Sequence, residues 1–222
     1  MPITLPVPAA AFDAAIVDLD GTMVDTLGDF VAVLDRVLGE LALPTVSRAF
    51  VARTVGKGSE YLLQRSIEQA GGSSAALYED AWAHYQRHYA EINGRHSSAY
   101  PGVAEGLAML RARGWKLACL TNKPTAMAVA LLERKGLREH FSGVFGGDAF
   151  ERKKPDPLPL LKTCEALGFP PARTLMIGDS SNDARAARAA GCPVVLMSYG
   201  YNHGEPVAAV DADAVIDRID QL

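Results

Sequence analysis

Residues 14–22 read Ala-Ala-Ile-Val-Asp-Leu-Asp-Gly-Thr, an apolar run that ends at two carboxylates. The run from Ala14 to Val17 is too short for a helix and polar residues flank it, which predicts a buried strand of a parallel sheet. Later apolar runs also stop at polar residues, and they lie at 117–120, 175–177 and 193–197. Because the pattern recurs, we expect one sheet of parallel strands with polar side chains at their carboxyl ends.

Helical patterns separate the predicted strands. One lies within 103–110, and two later ones end at Gly168 and Gly191, since glycine suits the last turn of a helix. Strands that alternate with helices predict an α/β fold with a doubly wound parallel sheet, a Rossmann-like core. In such sheets ligands bind at the carboxyl ends of the strands. The polar residues expected there include Asp18, Thr121 and Asp179.

The segment 27–92 departs from this alternation. Its apolar residues lie at helical spacing, with Phe30, Leu34 and Leu38 on one stripe, which predicts a helical subdomain. We therefore predict two domains. These are a catalytic α/β core formed by 1–26 and 98–222, and a helical cap at 27–97 inserted after the first strand. We expect the cap to fold over the polar edge of the sheet, where it can act as a lid.

The acidic residues at the strand ends predict a metal site. Asp18 and Asp20 stand two residues apart, followed by Gly21 and Thr22 in a turn that can present backbone N–H groups to an anion. Adjacent carboxylates repel, so a bound cation explains them best. The acidic residues at the end of another strand are Asp179 and Asp183. Oxygen ligands without His or Cys favour magnesium over zinc. An isolated Asp-x-Asp pair is more often a solvated turn or a helix cap.

Two further elements complete a pattern for phosphoryl transfer. Thr121 and Asn122 offer a hydroxyl and amides to phosphate oxygens, although a helix cap is the alternative interpretation. Lys154 supplies a cation, in a stretch that by itself is usually a solvated loop. All of these elements occur in chain order on one edge of the predicted sheet. Together they predict an enzyme that transfers phosphoryl groups.

In this arrangement the sequence resembles the haloacid dehalogenase superfamily of phosphatases over essentially the whole chain. The motifs that carry the resemblance are Asp18 to Thr22, Thr121, Lys154, and Asp179 to Asp183. Other stretches, among them Tyr-Gly-Tyr at 199–201, are similar to the phosphoglycolate phosphatases of that superfamily. The resemblance implies a magnesium-dependent hydrolase of phosphate monoesters that prefers 2-phosphoglycolate. The alternative is a phosphatase or mutase of another small sugar phosphate.

The resemblance also implies a role for each residue of the motifs. Asp18 is expected to attack phosphorus and form an aspartyl phosphate, while Asp20 protonates the leaving oxygen and later deprotonates the attacking water. Magnesium would bind Asp18, the carbonyl of Asp20 and Asp179, with Asp183 acting through a water or by orienting another ligand. The groups expected to bind the phosphate are Thr121, Lys154 and the amides of Asn122 and Gly21, with Thr22 beside them.

Gly56, Lys57 and Gly58 are the cap residues predicted to recognise the non-phosphate end of the substrate. Glycines on both sides of a cation let the backbone and the ammonium approach an anion, which fits a substrate carboxylate. A plain turn between two helices is the alternative interpretation. The remaining polar candidates, His84, His88, His96 and His140, receive no role.

Composition narrows the class of partner. The chain has 222 residues, 49% of them hydrophobic, and a formal net charge of −4, so it is expected to fold without attracting nucleic acid or an anionic membrane. A small phosphorylated metabolite is the expected partner.

The three cysteines lack metal-site spacing and are expected to be buried thiols in a reducing, cytoplasmic environment. The oligomeric state is not readable from the sequence.

Three other classes of protein fit parts of the pattern. A dehalogenase would lack the second carboxylate, so Asp20 argues against that activity. A phospho-accepting signalling domain combines similar residues on a parallel sheet but would not need the helical insertion. A noncatalytic binding protein would be expected to lack at least one catalytic group, and none is missing here.

Overall fold

The computed structural model describes residues 12–222, and within them the chain forms eight strands and eight α-helices. The strands are β1 (Ala14–Val17), β2 (Val24–Asp25), β3 (Ser98–Ala99), β4 (Lys116–Leu120), β5 (Gly143–Phe145), β6 (Thr174–Gly178), β7 (Val194–Met197) and β8 (Ala214–Ile216). The helices are α1 (Leu27–Glu40), α2 (Arg48–Thr54), α3 (Ser59–Gln69), α4 (Ser74–Ile92), α5 (Val103–Ala112), α6 (Thr125–Arg134), α7 (Leu158–Leu167) and α8 (Ser181–Ala190).

Six of the strands form one parallel sheet in the order β5-β4-β1-β6-β7-β8. Alternate residues of β1 enter separate apolar clusters, with Ala15 and Val17 beside α5 and α6, and Ala14 and Ile16 beside α7 and α8. Every residue of β1 is therefore buried, as a strand between two layers of helices must be. The predicted α/β fold with a doubly wound parallel sheet is confirmed.

The strand order brings the polar strand ends together. Strand β1 pairs with β4 on one side and with β6 on the other, so Val17 is opposite both Cys119 and Ile177. The residues that follow these three strand ends are neighbours at one edge of the sheet.

The last predicted strand begins one residue later than expected, at Val194, because Pro193 has no N–H to donate and contributes only its carbonyl to Met176.

Helices α1 to α4 build most of a third apolar cluster, which Tyr201 also joins, apart from the two clusters that flank the sheet. The ribbon of β2 and β3, paired through Val24 and Ala99, lies where the chain leaves the sheet for these helices and where it returns. We retain the division into a core and a cap at 27–97 as a proposal that these contacts support. Residues 1–11 of the proposed core lie outside the described residues.

The three cysteines, Cys119, Cys164 and Cys192, are buried and free, in agreement with the prediction. Among residues 12–222, no helix is both long and apolar enough to cross a membrane.

Candidate active site

The cation predicted at Lys154 lies in the centre of the polar edge of the sheet. Its Nζ atom is 3.0 Å from Asp18 Oδ1 and 2.7 Å from Asp183 Oδ1, and it donates to the Leu120 carbonyl at 3.0 Å. Burial by itself would lower the pKa of Lys154, but the two carboxylates raise it above its ordinary value. Lys154 is therefore a charged ammonium in a buried site, and it neutralises part of the acidic cluster.

Asp18, Asp179 and Asp183 converge beside this lysine. Each offers a carboxylate oxygen, and these oxygens lie within 4.8 Å of one another. Burial raises the pKa of Asp18 to about 7 against the opposing effect of Lys154, and the nearby Asp183 carboxylate adds to the rise. Burial, followed by repulsion from Asp183 and Asp18, raises the pKa of Asp179 well above its ordinary value. A cluster of oxygens that repel one another in this way fits a hard divalent cation.

The Asp179 carboxylate is held by two turns. Thr22 donates its hydroxyl to Oδ1 at 2.8 Å, and the Tyr201 N–H donates to Oδ2 at 2.6 Å. Gly200 is needed for this approach, because a Cβ atom there would lie 2.1 Å from the Cβ of Asp179. Gly21 adopts a φ of +86° and packs against the same carboxylate. The second turn, which contains Gly200 and Tyr201, was found in the sequence only as part of a family resemblance.

Two predicted phosphate contacts have other partners in the structure. The Gly21 N–H donates to the Val24 carbonyl at 2.9 Å within the turn, and the hydroxyl of Thr22 is taken by Asp179. These two residues therefore shape the acidic cluster rather than offer free donors to a phosphate, which differs from the expectation for the Gly21 amide. The physical reason is that the tight turn after Asp20 is closed by the hydrogen bond from the Gly21 N–H to the Val24 carbonyl.

Asp183 organises the turn at the start of α8. Its Oδ2 atom accepts from the N–H groups of Asp179 and Ser180 at 3.3 and 3.2 Å and from the Ser180 hydroxyl at 2.8 Å, while Oδ1 binds Lys154. These contacts leave both proposed roles open, a metal contact through water or the orientation of another ligand. They also place Asp183 against Gly178, where a Cβ atom would lie 2.4 Å from the Asp183 side chain.

Asp20 faces a residue that the sequence interpretation left without a role, Lys123. The Lys123 ammonium donates to both carboxylate oxygens of Asp20, at 3.1 and 3.4 Å, and to the Tyr89 hydroxyl at 2.5 Å. It also lies 4.7 Å from the ring centroids of Phe30 and Tyr89. The one sequence signal for Lys123 is its position two residues after Thr121 at the strand end. Its aromatic partners come from α1 and α4 and could not be foreseen.

A small cavity separates these core residues from the helices of the proposed cap. Its wall combines Asp18, Asp20, Thr121, Asn122 and Lys123 of the sheet edge with Phe30, Val55, Gly56, Gly58, Ser59 and Leu62 of the helical segment. The structure therefore brings Gly56 and Gly58 to the site. The side chain of Lys57 points elsewhere: the residue is exposed and its Nζ atom lies 5.2 Å from the Tyr61 ring centroid.

Asn122 joins the two sides of the cavity. Its amide donates to the Gly56 carbonyl at 3.0 Å and to the Lys154 carbonyl at 2.9 Å, and its oxygen accepts from the Lys154 N–H at 3.0 Å. Asn182 of α8 donates to the same Gly56 carbonyl at 3.2 Å. The loop before α3 is thus attached to the sheet edge, and it shares the cavity wall with Asp18 and Asp20.

Comparisons with known proteins agree with this arrangement. The model of the haloacid dehalogenase-like hydrolase family matches residues 15–197. A phosphoglycolate phosphatase of Thiobacillus denitrificans is 42% identical over 93% of this chain and 92% of its own length. A plasmid-encoded phosphoglycolate phosphatase of Cupriavidus necator is 43% identical over 94% of this chain and 90% of its own.

A solved structure is similar over a comparable range. The crystal structure of a predicted phosphoglycolate phosphatase from Haemophilus somnus superposes with a TM-score of 0.86 at 35% identity, over 95% of this chain and 96% of that one. The fold is a parallel sheet with a buried acidic cluster at the carboxyl ends of its strands. The chain belongs to the haloacid dehalogenase-like hydrolases. The predictions of this family and of a hydrolase of phosphate monoesters are confirmed.

Proposed function

We propose that the chain hydrolyses 2-phosphoglycolate to glycolate and phosphate, with magnesium and through an aspartyl phosphate on Asp18. The observation that carries the mechanism is the position of Asp18 in the cavity wall, 3.0 Å from the buried ammonium of Lys154 and two residues before Asp20. The substrate is supported by the names of relatives that are 42% and 43% identical over nearly the whole chain.

The carboxylates present fit the proposed metal. Asp18 and Asp179, with the carbonyl of Asp20, would hold the ion directly, and Asp183 would act through water or by orienting one of the others. Bound there, Mg²⁺ supplies the positive charge that offsets the repulsion among these carboxylates and between them and the phosphate. The convergence of three carboxylate oxygens within 4.8 Å supports this assignment, because a cation relieves the repulsion that, after burial, raises the pKa values of Asp18 and Asp179.

The first half of the reaction uses both carboxylates of the Asp-x-Asp motif. A carboxylate oxygen of Asp18 forms a bond to phosphorus while the bond from phosphorus to the ester oxygen breaks. Asp20, protonated at this stage, gives its proton to the departing ester oxygen, and glycolate leaves. In the second half Asp20 takes a proton from the water that attacks phosphorus, and phosphate is released from Asp18. The same side chain therefore acts as acid and then as base.

Three groups of the sheet edge would stabilise the charge on the transferring phosphoryl group. Lys154 keeps a positive charge beside the Asp18 carboxylate, 3.0 Å from its Oδ1 atom. Thr121 lies in the cavity wall, and within residues 12–222 its hydroxyl oxygen accepts one 3.3 Å contact from the Lys123 N–H, which leaves its proton for a phosphate oxygen. Asn122 holds the Lys154 backbone through two hydrogen bonds and so fixes the lysine.

The helical segment would serve as the cap that closes this site. The Gly56 carbonyl accepts from two amides of the sheet edge, and Lys153 of the core forms an ion pair with Glu60 of α3. These contacts join the segment to the core around the cavity. Closure of this kind excludes water, which strengthens every charge interaction in the site and protects the aspartyl phosphate.

The test is turnover of a panel of small phosphate monoesters, with magnesium and with a chelator. We expect kcat/KM to be highest for 2-phosphoglycolate and activity to disappear in the chelator. A higher kcat/KM for a sugar phosphate would assign another substrate to the same chemistry. Full activity in the chelator would contradict the proposed metal, and no turnover of any monoester would contradict the proposed function as a whole.

A further inference from the structure

We infer that Lys123 binds the carboxylate of the substrate and thereby sets the preference for phosphate esters of hydroxy acids. The inference rests on the proposed function, since it concerns how that substrate is recognised. It differs from the expectation drawn from the sequence, in which Lys57 had this role.

Lys123 is a buried cation in the cavity wall. Its side chain is 1% exposed, and Lys123 is the only lysine or arginine in the wall formed by the described residues. A buried ammonium is costly unless its charge is balanced and its protons find acceptors. Asp20 balances the charge, while the rings of Phe30 and Tyr89 attract it without adding a negative charge.

The Lys123 ammonium can exchange one of its contacts for an anion. A lysine carries three N–H donors, and here two of them meet the same Asp20 carboxylate, at 3.1 and 3.4 Å, while the third meets the Tyr89 hydroxyl. Lys154 differs in this respect, because its three donors meet Asp18, Asp183 and the Leu120 carbonyl. Of the two buried lysines at the site, Lys123 is therefore the one that can turn its longest contact, 3.4 Å to Asp20, toward a substrate carboxylate.

The geometry of the reaction puts the substrate carboxylate within reach of this donor. Asp20 must contact the ester oxygen in order to protonate it, and Lys123 contacts Asp20 at 3.1 Å. In 2-phosphoglycolate a single methylene separates the ester oxygen from the carboxylate carbon. When the ester oxygen contacts Asp20, the nearby carboxylate therefore comes within reach of Lys123, which contacts the same Asp20 side chain. The Lys57 ammonium instead lies over the Tyr61 ring, and Lys57 is not part of the cavity wall.

The experiment compares two substrates in matched variants. The substrates are 2-phosphoglycolate and ethyl phosphate, which has the same number of carbons and no carboxylate, and the readout is the ratio of their kcat/KM values. We expect Lys123→Met to lower this ratio about 10- to 100-fold, the usual effect of losing a hydrogen bond to a charged group. We expect Lys57→Met to leave the ratio within about threefold of the parent value. If the substitution also displaces Asp20, kcat/KM falls for both substrates, and that loss cancels in the ratio.

The outcomes separate this inference from the proposed function. If Lys123→Met slows both substrates equally, Lys123 acts only by positioning Asp20, and the inference is overturned while the substrate stands. If Lys57→Met lowers the ratio and Lys123→Met does not, recognition belongs to Lys57. A parent enzyme without preference for 2-phosphoglycolate would overturn both. If Lys123→Met does not fold, as judged by circular dichroism, Lys123→Gln keeps a polar end in the same place and carries the same expectation.

Discussion

At the scale of single residues, Lys154 is the group on which the site depends most. Its buried ammonium joins Asp18, Asp183 and the end of β4. We expect Lys154→Met to lower kcat by about 10²- to 10³-fold, the usual loss when one preorganised charge-stabilising group is removed. Steady-state kinetics test this. A change confined to KM would show instead that Lys154 only binds the ground state.

Gly200 gives a second prediction at this scale, because no side chain fits between its backbone and Asp179. We expect Gly200→Ala to displace Asp179 and to raise the magnesium concentration for half-maximal activity by about tenfold or more, in the range reported for lost supporting contacts at metal sites. Gly39→Ala is the matched control, since a Cβ atom there meets nothing within 4 Å. Equal magnesium dependence in the two variants would contradict the role given to Gly200.

The positions of the proposed catalytic residues could be predicted because each one follows a strand or belongs to a motif with a chemical reason. Asp18, Thr121 and Asp179 needed only the rule that ligands bind at the carboxyl ends of parallel strands. Lys123 could not be predicted in the same way. A lysine in a loop is ordinarily solvated, and the rings that surround this one belong to α1 and α4, far away in the sequence.

At the scale of elements, the connection between α8 and the loop before α3 can be tested with one substitution. Asn182 is buried, and its amide donates to the Gly56 carbonyl without touching the phosphoryl site. We expect Asn182→Ala to raise KM about 3- to 10-fold, as the loss of one hydrogen bond predicts, with little change in kcat. Arg185→Ala, on an exposed face of the same helix, is the control. An unchanged KM in Asn182→Ala would argue against cap closure through this contact.

The buried strands and helices were predictable, and the short edge strands were not. Strand β1 is a continuous apolar run, and α8 ends at Gly191 in the left-handed conformation that glycine favours. Strand β5 at one edge has only three residues, all half-buried, so it carries no apolar run. The ribbon of β2 and β3 has two residues in each strand, and only the pairing of distant segments reveals it.

At the scale of the whole molecule, the acidic cluster links stability to pH and, through the proposed metal, to magnesium. Asp18 has a pKa of about 7 in the folded chain against an ordinary value of 3.8, so between these pH values the folded chain binds more protons than the unfolded one. The free energy of unfolding contributed by this group is greatest below about pH 4 and falls as the pH rises to about 7. The raised pKa of Asp179 acts in the same direction.

Because the proposed magnesium would bind the ionised carboxylates, its stabilising effect should grow over the same pH range. We compare the two pH values at one magnesium concentration, about 100 times the Kd at pH 7.5. We expect the ion to raise Tm by roughly 5–10 °C near pH 7.5 and by much less near pH 5.5. Thermal unfolding with and without the ion measures this. An Asp179→Asn variant should lose most of the effect. An equal rise in Tm at both pH values would contradict the assignment of the cluster to the metal.

The most direct test of the account is whether Asp18 carries the phosphoryl group during turnover. The measurement is a rapid quench in acid after mixing the enzyme, in excess and with magnesium, with 2-phosphoglycolate labelled in its phosphate. We expect protein-bound label that appears before free phosphate is released, is removed by neutral hydroxylamine as an acyl phosphate is, and maps to the peptide containing Asp18. Asp18→Asn should give neither label nor turnover. Release of phosphate without protein-bound label at any time, or label that persists in Asp18→Asn, would contradict the account.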